Sequence, residues 1–138
     1  MTQPLDGVRI IDLTTVVMGP LATQLMGDLG ADIIKIEPPD GDILRHIAPM
    51  RHPAMGHIFL HHNRNKRSLV LDLKKPAGYA ALQKLLKTAD VLIYNVRPQA
   101  MKRLRLSYDE VAAVNPRIVY VGAYGFGLIM QRTGVPVP

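Results

Sequence analysis

The order of the apolar runs constrains this chain more than any other feature. Val8-Arg9-Ile10-Ile11-Asp12-Leu13 is short and rich in β-branched residues, the pattern of a strand. Gly19-Pro20 then breaks the run, and Pro20 suits a first helical position, where its missing N–H leaves no bond unmade. Leu21, Leu25, Met26 and Leu29 follow at helical spacing, with Gly30 as a C-terminal cap. Asp32-Ile33-Ile34-Lys35-Ile36 reads as a second strand. Strand, helix and strand make a βαβ unit, whose strands run parallel and whose crossover is right-handed.

The alternation continues beyond it. Pro38-Pro39-Asp40-Gly41-Asp42 opens a loop, and the stretch from Ile43 to Asn65 is irregular apart from a short helix near Ala54 to His61. Ser68 to Leu73 is a third strand. Lys75-Pro76 starts a helix with Leu82, Leu85, Leu86 and Ala89 on one face, and Val91 to Tyr94 is a short, wholly apolar fourth strand. Ser107 and Glu110 have the spacing of a capping box, the helix they open ends at Asn115-Pro116, and Ile118 to Val121 is a fifth strand. The chain is therefore α/β with a mostly parallel sheet and flanking helices. Ligands of such sheets bind beyond the C-terminal ends of the strands, which singles out the loops Thr14–Pro20, Glu37–Arg45 and Asn95–Arg105. After the fifth strand no helical pattern follows, so that strand lacks cover and the polypeptide reads as the N-terminal part of a larger protein. The apolar stretch from Val119 to Met130 calls for cover, which favours a homo-oligomer.

Composition narrows the chemistry. The 138 residues suit one domain. Absence of cysteine excludes disulfides, thiolate nucleophiles and cysteine-based zinc sites. The first ten residues carry Asp6 and no long apolar run, unlike a secretion signal. No uncharged stretch, Ile118 to Gln131 included, reaches the ~18 residues a membrane helix needs, so no membrane association is expected and a soluble, cytoplasmic domain is. Charge is uneven: residues 1–40 carry net −4 and residues 41–138 net +10. The basic clusters Arg64-Asn65-Lys66-Arg67, Lys74-Lys75 and Arg97 to Arg105 lie at element boundaries, where they could hold phosphates. The competing reading is solvated loop charge. Nucleic acid is disfavoured, because aromatics are 5% and none interleave with the basic clusters.

All five histidines fall between His46 and His62, and His57 and His61 are four apart. No acidic residue between Asp42 and Asp72 completes a metal site, so they read as surface or packing residues and no metal is expected. There is no Gly-x-Gly-x-x-Gly after the first strand and no Walker loop. Ser68 and Ser107 sit at a strand start and a helix cap, which argues against a serine triad. Glu110 is the last acidic residue, so the C-terminal segment offers no carboxylate nucleophile or base.

An ordered set of short motifs adds a resemblance. Pro4 to Thr14, Gly19-Pro20, Asp28 to Pro39, Asn63 to Ser68, Leu71 to Lys74, Ala89-Asp90-Val91, Asn95 to Pro98, Asn115-Pro116-Arg117 and Gly125-Phe126-Gly127 occur colinearly. Together they resemble the class III CoA-transferase family, which includes formyl-CoA and carnitine CoA-transferases and the α-methylacyl-CoA racemases. The resemblance implies a Rossmann-like N-terminal part over residues 1–127, incomplete relative to the full-length family, with a divergent tail over 128–138. It implies interlocked dimers and a coenzyme A or acyl-CoA thioester as partner, without metal. It implies contacts from Val17, Met18, Leu71, Asp72, Leu73, Lys74, Asn95, Val96, Arg97 and Arg103. Pro38 departs from the arginine some members carry near the phosphate. In the transferases an aspartate forms a mixed anhydride and then an aspartyl-CoA thioester; in the racemases a histidine and an aspartate move the α-proton. Those residues lie beyond the Gly125-Phe126-Gly127 equivalent, and from Leu128 onward this chain has neither Asp nor His. No catalytic residue is therefore expected here, and the chain reads as a CoA-binding fragment without activity alone. The alternatives are a racemase fragment and a non-enzymatic anion-binding or dimerisation module.

Overall fold

The computed structural model describes residues 2–124. The expected tail over 128–138 lies outside them. Five strands form one parallel sheet: β1 (Arg9–Leu13), β2 (Asp32–Glu37), β3 (Lys66–Val70), β4 (Val91–Tyr94) and β5 (Val119–Gly122), in the order β3-β2-β1-β4-β5. The helices are α1 (Met18–Asp28), α2 (His57–His62), α3 (Pro76–Leu86), α4 (Pro98–Arg103) and α5 (Tyr108–Val114), and Ile43–His46 forms one 3-10 turn.

Strand alternation divides the core in two. Ile11, Leu13, Ile34, Ile36, Leu92 and Tyr94 point to the side covered by α3, α4 and α5, where Leu82, Leu86, Met101 and Val111 meet them. Ile10, Ile33 and Ile93 point to the other side, against Ala31 and Met26 at the end of α1. On that second side the pattern turns polar toward the C-terminal ends of the strands. Asp12, Lys35 and Glu37 follow there and are all buried.

Most boundaries follow the sequence reading, with informative differences. The first helix begins at Met18, so Pro20 is its third residue; first-turn N–H groups lack intrahelical partners, which is why the proline is tolerated. Gly30 closes that helix as expected. It adopts φ +101°, its N–H bonds Gly27 O at 3.1 Å, and Ala31 N–H bonds Met26 O at 3.1 Å, the paired bonds of a Schellman motif. The Glu110 carboxylate reaches back to the Ser107 backbone N–H at 2.9 Å. The third strand is shifted: it runs Lys66–Val70 rather than Ser68 to Leu73. Its charged start pairs in register with Ile33 and Ile34, and Leu71 to Leu73 leave the ladder. The expected short helix near Ala54 to His61 is observed as His57–His62. The loop expected over Asn95–Arg105 contains α4.

Candidate functional site

The C-terminal ends of the strands open onto a cleft of about 410 Å³. Leu13 and Thr15 come from the end of β1, Ile36 and Glu37 from β2, and Pro38, Pro39 and Asp40 from the loop after it. Leu71 to Lys74 form the wall after β3, and Val96, Met101 and Leu104 close the side toward α4. All three loops singled out by sequence contribute. Each is a place where a strand stops pairing and its next residues turn away from the sheet.

Of the site residues named from sequence, Leu71, Asp72, Leu73, Lys74 and Val96 line this cleft. Asn95 lies beside it with its side chain turned to the β1 loop: Oδ1 accepts from Thr15 N–H at 2.9 Å and Nδ2 donates to Thr15 O at 2.8 Å. Val17 and Met18 are exposed at the start of α1, and Arg97 and Arg103 are exposed at the two ends of α4; none of the four is part of the cleft wall. Pro38, Pro39, Asp40, Met101 and Leu104 line it without having been named as contacts, Pro38 only as a departure near the phosphate. The first three sit in the singled-out loop Glu37–Arg45 and the other two in Asn95–Arg105.

One basic cluster is corrected. Arg64 pairs with Asp28 at 2.7 Å, Lys66 with Asp12 at 3.0 Å and Arg67 with Asp32 at 2.5 Å. These cations fasten β3 and the turn before it to α1, β1 and β2, and the phosphate reading falls where the donors are spent on that fastening, although the Arg64 and Arg67 side chains stay 50% and 65% exposed. Lys66 shows why: its ammonium is buried and all three donors are used, on Asp12, Pro20 O and Asn63 Oδ1. Burial pushes its pKa down despite the neighbouring Asp12 carboxylate. Lys35 is equally buried, bonding Thr14 O at 2.7 Å and pairing with Asp42 at 3.0 Å.

Glu37 joins this polar interior to the cleft. Its carboxylate takes two bonds from the Arg45 guanidinium, both 2.7 Å, one from Ser68 Oγ at 2.6 Å and one from Asp42 N–H at 2.9 Å. Arg45 in turn stacks on the Phe59 ring, 3.8 Å from its centroid. Burial raises the Glu37 pKa, but the hydrogen bonds from Arg45, Ser68 and Asp42 outweigh it and bring the group to about 2 from 4.5. A lowered carboxylate pKa stabilises the fold above the unfolded value and is lost as pH falls. The contribution, about 3 kcal/mol by this shift, is present above about pH 4.5 and fades toward pH 2. Urea unfolding measured from pH 6 to pH 3 should therefore show a falling stability whose slope shrinks in Glu37→Gln; an unchanged slope would contradict it.

His57 and His61 lie on α2, where the His57 ring nitrogen meets Pro49 O at 3.1 Å and the His61 ring packs edge-on to His62. Among the described residues no helix is long and apolar enough to cross a membrane.

With this geometry in place, comparison with known proteins is decisive. A family-level match to CoA-transferase family III runs over residues 5–134. The chain belongs to CoA-transferase family III. It is 41% identical over 127 residues to the formyl-CoA:oxalate CoA-transferase of Streptomyces avermitilis, covering 92% of this chain and 31% of that protein. It is 44% identical over 126 residues to the acetyl-CoA:oxalate CoA-transferase of Acetobacter aceti, covering 90% and 32%. Among solved structures, a CaiB/BaiF family protein from Brucella suis superposes with a TM-score of 0.86 at 34% identity, covering 92% of this chain and 35% of that one. The family III chain thus spans about a third of the length of the curated relatives it matches. The α/β fold and the family expected from sequence both stand.

Proposed function

We propose that this family III chain binds the nucleotide end of a CoA thioester in the cleft, and that it does not transfer the acyl group unaided. The observation that carries the reading is the meeting of Leu71 to Lys74 with the ends of β1, β2 and β4 in one apolar-walled cleft. Aliphatic and proline side chains on opposing walls suit a flat base. Lys74 at the rim, with Arg97 and Arg103 at the ends of α4, offers cations for the diphosphate and the 3′-phosphate.

Transfer through an aspartyl anhydride needs a carboxylate free to attack. Of the carboxylates at the cleft, Glu37 is held by Arg45, Ser68 and Asp42, and Asp72 Oδ1 accepts from Lys74 N–H at 3.1 Å, while Asp40 stands exposed in the loop after β2, apart from the aspartate of the resemblance, which follows the Gly125-Phe126-Gly127 equivalent. Relatives named as CoA-transferases for oxalate, and for succinate and glutarate, support a whole protein that works on CoA esters of carboxylic acids. An assembly of more than one chain fits Met18, Leu21 and Leu25, exposed at positions that recur on one side of α1.

Calorimetric titration with CoA and with 3′-dephospho-CoA tests the reading. Saturable binding that weakens without the 3′-phosphate, and that drops about tenfold in Arg103→Ala, is the expected result. Equal binding of any polyphosphate would instead mark a nonspecific anion-binding module. Acyl exchange from formyl-CoA to oxalate by the pure chain would overturn the absence of catalysis.

A further inference from the structure

We propose that the Asn95 side chain, with Lys35 opposite it, is a positioning device: it holds the loop after β1 in a strained shape on which coenzyme binding depends. The dependence on coenzyme rests on the function proposed above; the grip on the loop does not.

The loop leaves β1 at the edge of the cleft, where Thr15 is part of the wall. The last paired residues of the β1–β4 ladder are Leu13 and Tyr94. One residue later the Asn95 amide takes over. By accepting from Thr15 N–H and donating to Thr15 O, it imitates the peptide group of a neighbouring strand. From the opposite neighbour, β2, the Lys35 ammonium grips Thr14 O at 2.7 Å. Two consecutive residues of the loop are therefore held from both sides of the sheet.

The next residue is Val16, at φ +69°. A β-branched residue adopts that conformation only where its surroundings impose it. Val16 is 46% exposed, so burial of its own side chain does not impose it. The grips on Thr14 and Thr15 do, and they set the direction in which the chain enters α1 at Val17 and Met18. Both polar ends of the Asn95 amide are engaged in this bond pair. That pair uses one of its two N–H donors and one of its two acceptor lone pairs, and the action we assign to the side chain is the one through the loop.

The test compares the 138-residue chain with Asn95→Ala, Asn95→Asp, Val16→Gly and the Asn95→Ala/Val16→Gly double variant. Hydrogen exchange at Thr15, Val16 and Val17, and affinity for CoA and for adenosine, are read in each. Asn95→Ala should raise exchange at those amides while Ile11 and Leu92 keep theirs. It should weaken CoA about tenfold and adenosine, a ligand of the cleft walls, far less. Asn95→Asp keeps the acceptor for Thr15 N–H but loses the donor to Thr15 O, so it falls between, and it carries the comparison if the alanine variant does not fold. Glycine at 16 removes the strain that the grip opposes, so loss of Asn95 should weaken CoA less in that background. Unchanged exchange in both Asn95 variants overturns the grip. Strictly additive effects in the double variant overturn its working through Val16. If the wild-type chain binds no CoA, the function proposed above fails and takes the coenzyme dependence with it, and the exchange measurement alone decides the grip.

Discussion

Replacing Asp12 with alanine is expected to destabilise the protein by about 3–5 kcal/mol, the cost of leaving one partner of a buried ion pair uncompensated. Asp12 is fully buried, and its carboxylate receives Thr14 N–H and Oγ–H, Thr23 Oγ–H and the Lys66 ammonium. Without it, the dry Lys66 ammonium keeps only Pro20 O and Asn63 Oδ1, two neutral acceptors. Against a typical domain stability of about 5–15 kcal/mol, that loss is a large share. Urea unfolding followed by circular dichroism gives the number. Asp12→Ala/Lys66→Met removes both charges and should recover much of the loss. A double variant no more stable than the single one would sink the account, since the penalty would then not lie in the stranded charge.

Gly78→Ala is expected to act on the ligand as well as on the fold. Within α3, alanine is favoured over glycine by about 1 kcal/mol, so propensity alone predicts a gain. A Cβ at Gly78, however, would stand 2.2 Å from Asp72 O and 2.8 Å from Asp72 C. Those are backbone atoms of the cleft wall, with no side chain to swing aside. The wall from Leu71 to Lys74 must move, which lowers the melting temperature despite the gain in helix propensity, and CoA affinity should fall by tenfold or more, roughly 1.4 kcal/mol. Titration of the variant checks this. Unaltered affinity would mean that the wall after β3 is not part of the coenzyme site.

Much of the fold was legible because its signals are local. The β-branched runs at Ile10-Ile11, Ile33-Ile34 and Val91 to Ile93, separated by helical spacing, are enough to specify a parallel sheet. The glycine after α1 and the Ser107–Glu110 pair carry their own geometry in a few residues. The cleft was legible as loops, because strand ends point to it whatever their side chains are.

What was not legible depends on long-range pairing. Arg64, Lys66 and Arg67 read as a solvated or phosphate-binding cluster, and only folding brings Asp28, Asp12 and Asp32 to them across 35 to 54 residues of chain. The third strand was misplaced for the same reason: Lys66 looks like loop until its ammonium is seen to be buried. Helix α4 has six residues, two of them basic, and starts at a proline, too short for periodicity to show. The motif marks Asn95 as a ligand contact, and its bond pair with Thr15 is invisible until β1 and β4 are adjacent.

The division of the sheet into an apolar face and a half-charged face bears on how such a sequence can change. On the side of α3, α4 and α5, aliphatic residues can be exchanged one at a time, with small penalties when volume is kept. On the other side, Asp12 with Lys66, Lys35 with Asp42 and Glu37 with Arg45 each form a lock with one key. A single step there strands a charge and a paired step does not, so neighbouring viable sequences are separated by variants that fold poorly. Drift along this half of the sheet is confined to double steps, and through Asp42 and Arg45 the constraint reaches into the loop after β2 that helps to wall the cleft.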